Sequence, residues 1–372
     1  MLLGVPKEIK NREYRVGMTP ASVGEVVAHG HCVVVETHAG SGIGNTDADY
    51  EAAGARIADT PDEIFATAEM IVKVKEPQAQ ERKMLRPGQL LFTYLHLAPD
   101  PEQTKDLVDS GATCIAYETV TDKAGGLPLL APMSQVAGRL SIQAGAHCLE
   151  RTNGGKGVLL GGVPGVAPAR VVVIGGGVVG ENAVQILLGM GADVTVLDRD
   201  ADVLNRLSRT FGAALKTVYS TRLALEQLVQ DADLVVGGVL VKGAAAPKLV
   251  SNAMVRDMTA GSALVDVAID QRGCFETSHA TTHDDPIYIV DDVVHYCVAN
   301  MPGAVPRTST YALNNVSLPF ILDLADMGYK RALTENVHLL EGLNVHSGHV
   351  TYQAVAEVLG YDFVDPAQAL AS

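Results

Sequence analysis

Four charged or titratable side chains follow strand-like segments of this sequence or stand in its opening turn. Arg15 lies in "NREYRVGMTP", Lys75 closes "MIVKVK", His96 follows "LLFTY", and Asp270 follows "LVDVA". Two cations can bind a carboxylate, a histidine can exchange protons near neutral pH, and an aspartate can stabilise a positive charge. As a set, these residues predict acid/base chemistry on a small carboxylic acid.

Each of these residues also has a structural interpretation. His96 follows an apolar segment and could be a hydrogen-bonded core histidine, and Lys75 could extend its ammonium group to water. Arg15 could pair with Glu13 or Glu8, and Asp270 could cap the turn that follows it. The sequence leaves both interpretations open for each residue taken singly.

A second lysine, Lys73, precedes Lys75 by two residues in the run "MIVKVKEP". Side chains two apart share one face of a strand, and Pro77 ends the pairing soon afterwards. We expect Lys75, at the closing end, to reach a ligand and Lys73 to reach less far. On this interpretation a Lys73→Met substitution is nearly silent.

The most specific motif is "ARVVVIGGGVVGENAVQILLGMGADVTVLDRD", a strand, a glycine-rich turn, a helix and a second strand. Gly175 allows the tight turn, Gly177 lets the backbone approach a pyrophosphate, and Gly180 lets the helix pack on the strand. The helix start then binds the anion. Asp198 ends the second strand, where it can accept hydrogen bonds from a ribose and repel a 2′-phosphate. The motif predicts NAD as the cofactor.

Ligands of such a sheet bind beyond the carboxyl ends of its strands. Further residues of the second half of the chain follow predicted strands and are therefore expected at the cofactor. They are Ser220, Val239, Leu240, Val267, Ala268, Ile269, Asp270, Val298, Ala299, Asn300 and Met301.

The elements that position these residues alternate between strand and helix along nearly the whole chain, which is typical of α/β proteins with parallel sheets. We predict two Rossmann-like, doubly wound domains. A continuous NAD-binding domain (132–304) is inserted in a discontinuous substrate and catalytic domain (1–131 and 305–372). After Pro306 the pattern is predominantly helical.

Composition excludes several classes of partner. The chain has 28 Lys and Arg against 43 Asp and Glu, a formal net charge of −15, which argues against binding nucleic acid or an anionic membrane. Five scattered cysteines without a C-x-x-C pair are typical of a reducing compartment. The N-terminus becomes charged too early for a signal peptide, and no apolar stretch is long enough to span a membrane. These features predict a soluble cytoplasmic protein.

No H-E-x-x-H or comparable metal-binding spacing occurs in the sequence. The remaining acidic and histidine residues that attract notice are interpreted as structural. They are Glu118, the pair His279 and His283, and the pair Asp291 and Asp292.

Several segments resemble the alanine dehydrogenase/pyridine nucleotide transhydrogenase family, and in particular its NAD-dependent alanine dehydrogenases. They include "GVPKEIKNREYRVGMTPASVGEVVAHGH", "VKVKEP", "LLFTYLHLA", "VVVIGGGVVGENA", "APKLV", "VDVAIDQRGCFETS" and "YCVANMPGAVPRTSTYAL". The resemblance covers essentially the full chain, and the segments occur in order. The same family includes the dinucleotide-binding subunit of the proton-pumping transhydrogenase.

The resemblance implies reversible oxidative deamination of L-alanine to pyruvate and ammonia, with hydride transfer to NAD, in a homo-hexamer. It also implies that Arg15 and Lys75 hold the substrate, that His96 is the acid/base group, and that Asp270 is its partner at the reacting centre. The NAD contacts that it implies are Ser134, Val178, Val179, Asp198, Ser220, Leu240, Asn300 and their neighbours.

The sequence departs from the family pattern in two places. Val203 and His279 stand where relatives often carry basic residues near the cofactor. Some relatives bind a divalent cation through an acid and a histidine on the helix after the cofactor domain. Here that helix has Asp323 but Met327. We therefore predict no metal.

Two other functions stay open. One is a hydride-exchange subunit of a membrane transhydrogenase, which needs partner chains and no small substrate. The other is dehydrogenation of another small substrate, such as formation of glycine from glyoxylate or oxidation of a 2-hydroxy acid. The presence of His96 and Asp270 favours the free-standing enzyme, because a hydride-exchange subunit needs no acid/base pair.

Overall fold

A computed structural model of the chain describes residues 1–239 and 246–371. These residues form two compact units. The first unit combines Met1–Met133 with the segment from Val305 onward, and the second is Ser134–Ala304. No helix within the described ranges combines the length and the apolar character that a membrane crossing requires.

The strands are short and mostly β-branched or aliphatic, as expected for buried parallel strands. In chain order they are β1 (Leu2–Val5), β2 (Cys32–Glu36), β3 (Arg56–Ala58), β4 (Met70–Val72), β5 (Leu90–Thr93), β6 (Thr113–Ala116), β7 (Arg170–Ile174), β8 (Asp193–Asp198), β9 (Leu215–Tyr219), β10 (Leu234–Gly237), β11 (Ala263–Asp266), β12 (Ile287–Val290), β13 (Val293–Tyr296), β14 (Leu343–His346) and β15 (His349–Val350).

Many of the helices begin at Thr, Asp or Pro residues that favour helix starts, such as Thr19, whose side chain accepts a hydrogen bond from the Ser22 amide. In chain order they are α1 (Pro20–Ala28), α2 (Asp47–Ala52), α3 (Pro61–Thr67), α4 (Ala79–Arg82), α5 (Pro101–Ser110), α6 (Ala131–Cys148), α7 (Val178–Gly189), α8 (Ala201–Phe211), α9 (Arg222–Asp231), α10 (Asn252–Arg256), α11 (Pro306–Met327), α12 (Tyr329–Glu335), α13 (Val337–Leu340), α14 (Gln353–Leu359) and α15 (Pro366–Ala371).

Each unit is built on one twisted sheet. Among the described residues, the sheet of the first unit has the order β15-β14-β6-β5-β4-β1-β2-β3, and that of the second has β12-β13-β11-β10-β7-β8-β9. Strands β1 to β6 pair in parallel, and so do β7 to β11 with β13. Each sheet therefore contains the 3-2-1-4-5-6 order of a doubly wound fold, which confirms the predicted fold class.

Both faces of each sheet are covered by apolar side chains. In the first unit Val72 and Phe92 point into one cluster, while their neighbours Ile71 and Leu91 point into the other. In the second unit β7 alternates in the same way between two clusters. Because successive residues of a strand face opposite sides, burial of both sets is the expected result of helices on both faces.

The end of the chain differs from the predicted helical pattern. Strands β14 and β15 form a hairpin at the edge of the first sheet, and β14 pairs antiparallel with β6. The turn residues Ser347 and Gly348 have φ angles of 47° and 85°. Two consecutive positive φ values are typical of the tight turns that join antiparallel strands, so the Ser-Gly pair was the signal for this hairpin.

Candidate active site

The strand order of the first unit places the loops after β1 and β4 next to each other, because these two strands are neighbours. Helices leave the sheet in opposite directions from this point, which is where doubly wound folds bind their ligands. Glu8 lies on the loop after β1, and its Oε1 atom accepts a hydrogen bond of 3.2 Å from the Lys75 amide. Lys75 is thus at the switch point of the sheet.

The Lys75 ammonium lies at this edge, where it can bind an anion. Its side chain is 12% exposed, and its ion-pair partner, Glu76 Oε2, lies 3.6 Å away, beyond ordinary hydrogen-bonding distance. Glu76 also pairs with Lys10. Burial raises the pKa of the Glu76 carboxyl, but the charges of Lys75 and Lys10 outweigh it and lower that pKa. Lys75 therefore carries donor hydrogens that a substrate carboxylate or carbonyl oxygen can accept.

The expectation for Lys73 is wrong. Strand β4 ends at Val72, and the Lys73 side chain is fully buried between two carboxylates. Its Nζ atom donates to Glu8 Oε2 at 3.0 Å and to Glu81 Oε1 at 2.7 Å. Removing this charge leaves two buried carboxylates without their cation, so Lys73→Met is not a silent control.

Arg15 makes the pairing with Glu13 that one interpretation of the sequence anticipated. Its Nε and Nη2 atoms donate to the Glu13 carboxylate at 2.7 and 2.6 Å, and its Nη1 atom lies 3.1 Å from the sulfur of Met133. The side chain is 2% exposed. This two-pronged contact fixes the plane of the guanidinium group.

His96 follows β5 and has an exposed ring, which excludes the core-histidine interpretation. Its side chain is 45% exposed and its φ angle is 51°, in the left-handed region that few non-glycine residues adopt. The ring lies parallel to that of Tyr94 with centroids 5.9 Å apart. Burial raises the pKa of the Tyr94 hydroxyl, and the charge of Arg15 opposes this rise. Tyr94 therefore interacts with both residues, through its ring with His96 and through its hydroxyl with the charge of Arg15.

Glu118, which the sequence suggested to be structural, holds the His96 backbone. Its Oε1 atom accepts a hydrogen bond of 2.6 Å from the His96 amide and lies 3.7 Å from the ring Nδ1. The Leu95 amide donates to the same carboxylate at 3.2 Å. Glu118 follows β6, which pairs with the strand that precedes His96, β5. The sequence therefore gave the place of Glu118 in the sheet, but not its contact with His96, which lies 22 residues earlier in the chain.

The glycine-rich turn of the second unit lies between β7 and α7. Gly175 has a φ angle of 96°, and a Cβ atom on Gly180 would lie 1.8 Å from the Gly175 carbonyl oxygen. A Cβ on Gly177, in contrast, would meet no described atom within 4 Å. No side chain in the described part of the chain caps α7 at Gly177. The turn therefore presents open space and the amide groups of a helix start, as a pyrophosphate requires.

Asp198 ends β8 directly beside this turn. Its Oδ2 atom accepts a hydrogen bond of 2.6 Å from the Gly176 amide, and its Oδ1 atom accepts one of 2.9 Å from the Asp200 amide. Two fixed hydrogen bonds hold the carboxylate at the edge where the ribose of a dinucleotide lies in this fold.

Val203, on α8, makes one side of the glycine-rich turn apolar. Arg206 follows one turn later on the same helix and supplies a cation. A Cβ on Gly176 would lie 2.6 Å from Val203 Cγ1, so Val203 packs against the turn. Arg206 donates from Nη2 to the Gly176 carbonyl oxygen at 3.0 Å and forms an ion pair with Glu181 of α7. A basic residue therefore contacts the glycine turn although position 203 is not basic.

Asp270 is the exposed residue of a turn of 3-10 helix, Val267–Gln271, that follows β11 and whose Ala268 and Ile269 are buried. The buried carboxylate of Asp266 organises this turn. It accepts hydrogen bonds from the Ala268 amide at 3.1 Å, the Cys274 amide at 2.9 Å and the Ser278 hydroxyl at 2.6 Å. Burial raises the pKa of Asp266, and the hydrogen bonds from Ser278 and Cys274 oppose the rise.

The other residues predicted to contact NAD also belong to the second unit. Val298 and Met301 are buried, whereas Ala299 and Asn300 are half-buried. Leu240 lies outside the described residues. The remaining ones flank the carboxyl ends of strands or the start of α7: Ser220 after β9, Val239 after β10, Val267, Ala268 and Ile269 after β11, and Val178 and Val179 at the start of α7.

Ser134 is placed beside the start of α7 by the packing of α6. Gly138, one turn after Ser134, packs so closely that a Cβ there would lie 2.2 Å from the Val179 carbonyl oxygen. Residues four apart share one face of a helix. Ser134 is therefore on the face of α6 that contacts the glycine-turn helix.

His279 is an exposed residue whose ring stacks on Tyr288 with centroids 3.7 Å apart.

On α11, burial raises the pKa of Asp323, and the neighbouring Asp326 raises it further. Within residues 1–239 and 246–371, no group of three or more His, Cys, Asp or Glu side chains is arranged to hold a metal ion.

Comparison with known proteins covers both units. Residues 4–137 match the N-terminal domain model, and residues 141–353 the C-terminal domain model, of the family described as alanine dehydrogenase/PNT. An alanine dehydrogenase of Halomonas elongata is 60% identical over 370 residues, with 100% of each chain covered. One of Mycobacterium tuberculosis is 54% identical over 371 residues, again with 100% of each chain covered.

Solved structures give the same result. An L-alanine dehydrogenase superposes with a TM-score of 0.94 at 50% identity, covering 97% of this chain and 99% of that one. A transhydrogenase from Sinorhizobium meliloti superposes with a TM-score of 0.82 at 23% identity, which shows a shared fold. Matches over both units, at identities of this size, identify the chain as a member of the alanine dehydrogenase/PNT family.

Proposed function

We propose that this chain catalyses the reversible NAD-dependent oxidative deamination of L-alanine to pyruvate and ammonia. The full-length identity to alanine dehydrogenases supports this reaction. The structural observation that supports this reaction most directly is the conformation of His96. Its ring is exposed, and its main chain is held in a left-handed conformation by a hydrogen bond to Glu118. Such strain is retained where the surrounding structure fixes a functional geometry.

The substrate carboxylate binds to the cations of the first unit. Lys75 offers its ammonium at the switch point, and Arg15 offers a guanidinium group whose plane is fixed by Glu13. A carboxylate bound between two cations orients the Cα atom of alanine or the carbonyl carbon of pyruvate. Lys75 also stabilises negative charge on the carbonyl oxygen.

His96 transfers the protons of the reaction. Hydride leaves the Cα atom only when the substrate amine is neutral, and the product is an iminium ion. Water then adds to this ion, and the resulting carbinolamine collapses to pyruvate and ammonia with further proton transfers. A histidine accepts and donates protons near neutral pH, and Glu118 holds the main chain from which this ring extends.

NAD, when bound, supplies the hydride acceptor. The second unit fits this cofactor: the space at Gly177 admits a pyrophosphate, the start of α7 binds its charge, and Asp198 accepts hydrogen bonds from the ribose. Asp270, on the turn fixed by Asp266, stabilises the cationic iminium and polarises the water that attacks it.

The remaining parts of the proposal rest on the sequence pattern, the composition and the family resemblance. The first unit is the substrate domain and the second the NAD domain. The active form is a cytoplasmic homo-hexamer, and no metal ion takes part.

The purified chain tests this function with no partner protein present. We expect reduction of NAD with L-alanine and oxidation of NADH with pyruvate and ammonium. Glycine and 2-hydroxy acids serve as competing substrates. If NADH binds but alanine-dependent reduction needs a membrane partner, the hydride-exchange function is correct instead.

Lys75→Met tests the substrate site. The substitution keeps most of the apolar stem and removes the charge, so turnover of pyruvate should fall sharply while NADH binding is retained. Lys10→Met is the matched control, because Lys10 pairs with the same carboxylate, Glu76, from a more exposed position. Equal effects of the two substitutions would mean that Lys75 acts only through Glu76.

A further inference from the structure

The main chain of Lys75 is held by side chains from two other elements. We call residues Lys73–Gln78 the Lys75 segment. Glu8 Oε1 accepts hydrogen bonds from the Val74 amide at 2.6 Å and from the Lys75 amide at 3.2 Å. The Thr93 hydroxyl, on β5, donates to the Lys75 carbonyl oxygen at 3.0 Å. Both backbone polar groups of Lys75 are therefore fixed by side chains.

The far end of the Lys75 segment is held by a second carboxylate. Glu81 Oε2 accepts a hydrogen bond of 2.7 Å from the Gln78 amide. The other oxygen of Glu81 accepts from Lys73 Nζ, which also donates to Glu8. The three side chains are 0% to 2% exposed. Lys73 thus joins the two carboxylates that hold the start and the end of the segment.

Burying Lys73, Glu8 and Glu81 costs free energy, because each of the three charges loses its hydration. Burial raises the pKa of Glu8, and the charge of Lys73 opposes this rise. Burial lowers the pKa of Lys73, but the charges of Glu8 and Glu81 outweigh it and raise that pKa. Apolar side chains at all three positions would fill the same core, and such replacements of a whole buried ion cluster are often equally or more stable. Apolar side chains, however, could not accept the main-chain hydrogen bonds that fix the geometry of the Lys75 segment.

We propose that Glu8, Glu81 and Thr93 are positioning residues for substrate binding, which act by fixing the Lys75 segment. Lys73 is the buried link between the two carboxylates. The ammonium of Lys75 then meets the substrate from a main chain that is already ordered, so substrate binding loses less conformational freedom. This inference rests on the proposed role of Lys75 as a substrate ligand.

Thr93→Val is the most direct test, because it is nearly isosteric and removes one hydrogen bond to the Lys75 carbonyl. We expect the KM for pyruvate to rise about two- to tenfold, the usual worth of one hydrogen bond, with the KM for NADH unchanged. Thr351→Val is the matched control. Thr351 is equally buried and donates to the Leu343 carbonyl oxygen at 2.8 Å, away from the Lys75 segment. A pyruvate KM that is unchanged in Thr93→Val, or that rises equally in both variants, overturns the inference.

Glu8→Gln is the second variant. Its one amide oxygen cannot accept from the Val74 and Lys75 amides and from Lys73 Nζ at once, because these donors use the two different oxygens of Glu8. We expect a rise of about tenfold or more in the KM for pyruvate, again without a change for NADH. If Glu8→Gln does not fold, Thr93→Val decides the inference alone. An unchanged pyruvate KM in folded Glu8→Gln contradicts it.

Lys75→Met separates this inference from the proposed function. If Lys75→Met leaves pyruvate turnover intact, the proposed role of Lys75 is wrong, whatever the Thr93 result. If Lys75→Met abolishes turnover and Thr93→Val has no effect, the role of Lys75 stands and the positioning residues are refuted.

Discussion

Lys73→Met should destabilise the first unit strongly, although Met matches the shape of the lysine stem. Lys73 is fully buried, and its ammonium donates to Glu8 and Glu81 at 3.0 and 2.7 Å. The substitution removes both charge-assisted hydrogen bonds and leaves two buried carboxylates facing each other. Removing one partner of a buried ion pair costs about 3 to 5 kcal/mol. We expect the free energy of unfolding at neutral pH to fall by that amount.

The loss of stability in Lys73→Met should depend on pH. Without Lys73, only main-chain hydrogen bonds such as that from the Val74 amide oppose the effect of burial on Glu8, so the pKa of this carboxyl in the folded variant rises further above its unfolded value. At pH values between these two pKa values, the folded variant binds a proton that the unfolded chain does not bind. A group of this kind favours the folded state as pH falls. The difference in stability between variant and parent should therefore narrow as pH falls from neutral toward the unfolded pKa of a glutamate.

Urea unfolding followed by circular dichroism measures this prediction, since the chain has no Trp for fluorescence. A loss of this size corresponds to a shift of roughly 1 to 2 M in the midpoint of the first unit. Lys105→Met is the matched control, because Lys105 is 67% exposed and pairs with Asp109 on one face of α5. That pair should contribute no more than about 0.5 kcal/mol. Equal midpoints for Lys73→Met and its parent would refute the reasoning about the buried charges.

Three further substitutions test the site. His96→Asn, which tolerates the left-handed backbone, should lower kcat by about two or more orders of magnitude with NADH binding retained in a direct titration; near-parental turnover would remove His96 from catalysis. Asp198→Asn should narrow the preference for NAD over NADP, measured as the ratio of kcat/KM values, and an unchanged ratio would place another residue at the ribose. Gly180→Ala should abolish NADH binding, because its Cβ would lie 1.8 Å from the Gly175 carbonyl oxygen; parental affinity would mean that the turn is not the cofactor site.

The glycine-rich turn could be predicted from the sequence because its parts are close together in the chain. Gly175, Gly180 and Asp198 lie within one strand-helix-strand unit, where spacing alone fixes the geometry. The doubly wound fold class followed from the alternation of strands and helices. The β14–β15 hairpin was missed because "LNVH" and "HV" are too short to stand out in a helical context.

The surroundings of Lys75 and His96 could not be predicted, because they depend on contacts between distant parts of the chain. Glu8 contacts Lys73 across 65 residues, and Glu118 contacts the His96 amide across 22. A lysine in an apolar run gives no local sign that two carboxylates will surround it. Only the pairing of β1 with β4 brings Glu8 and Lys73 together.

Isotope transfer tests the central claim most directly. The chain, incubated alone with NAD and L-alanine deuterated only at Cα, should place the deuterium on the NADH that forms, as detected by mass spectrometry. Alanine deuterated only in the methyl group should give unlabelled NADH. Appearance of the Cα deuterium in water, or no alanine-dependent NADH at all, would contradict hydride transfer from alanine to NAD by this chain.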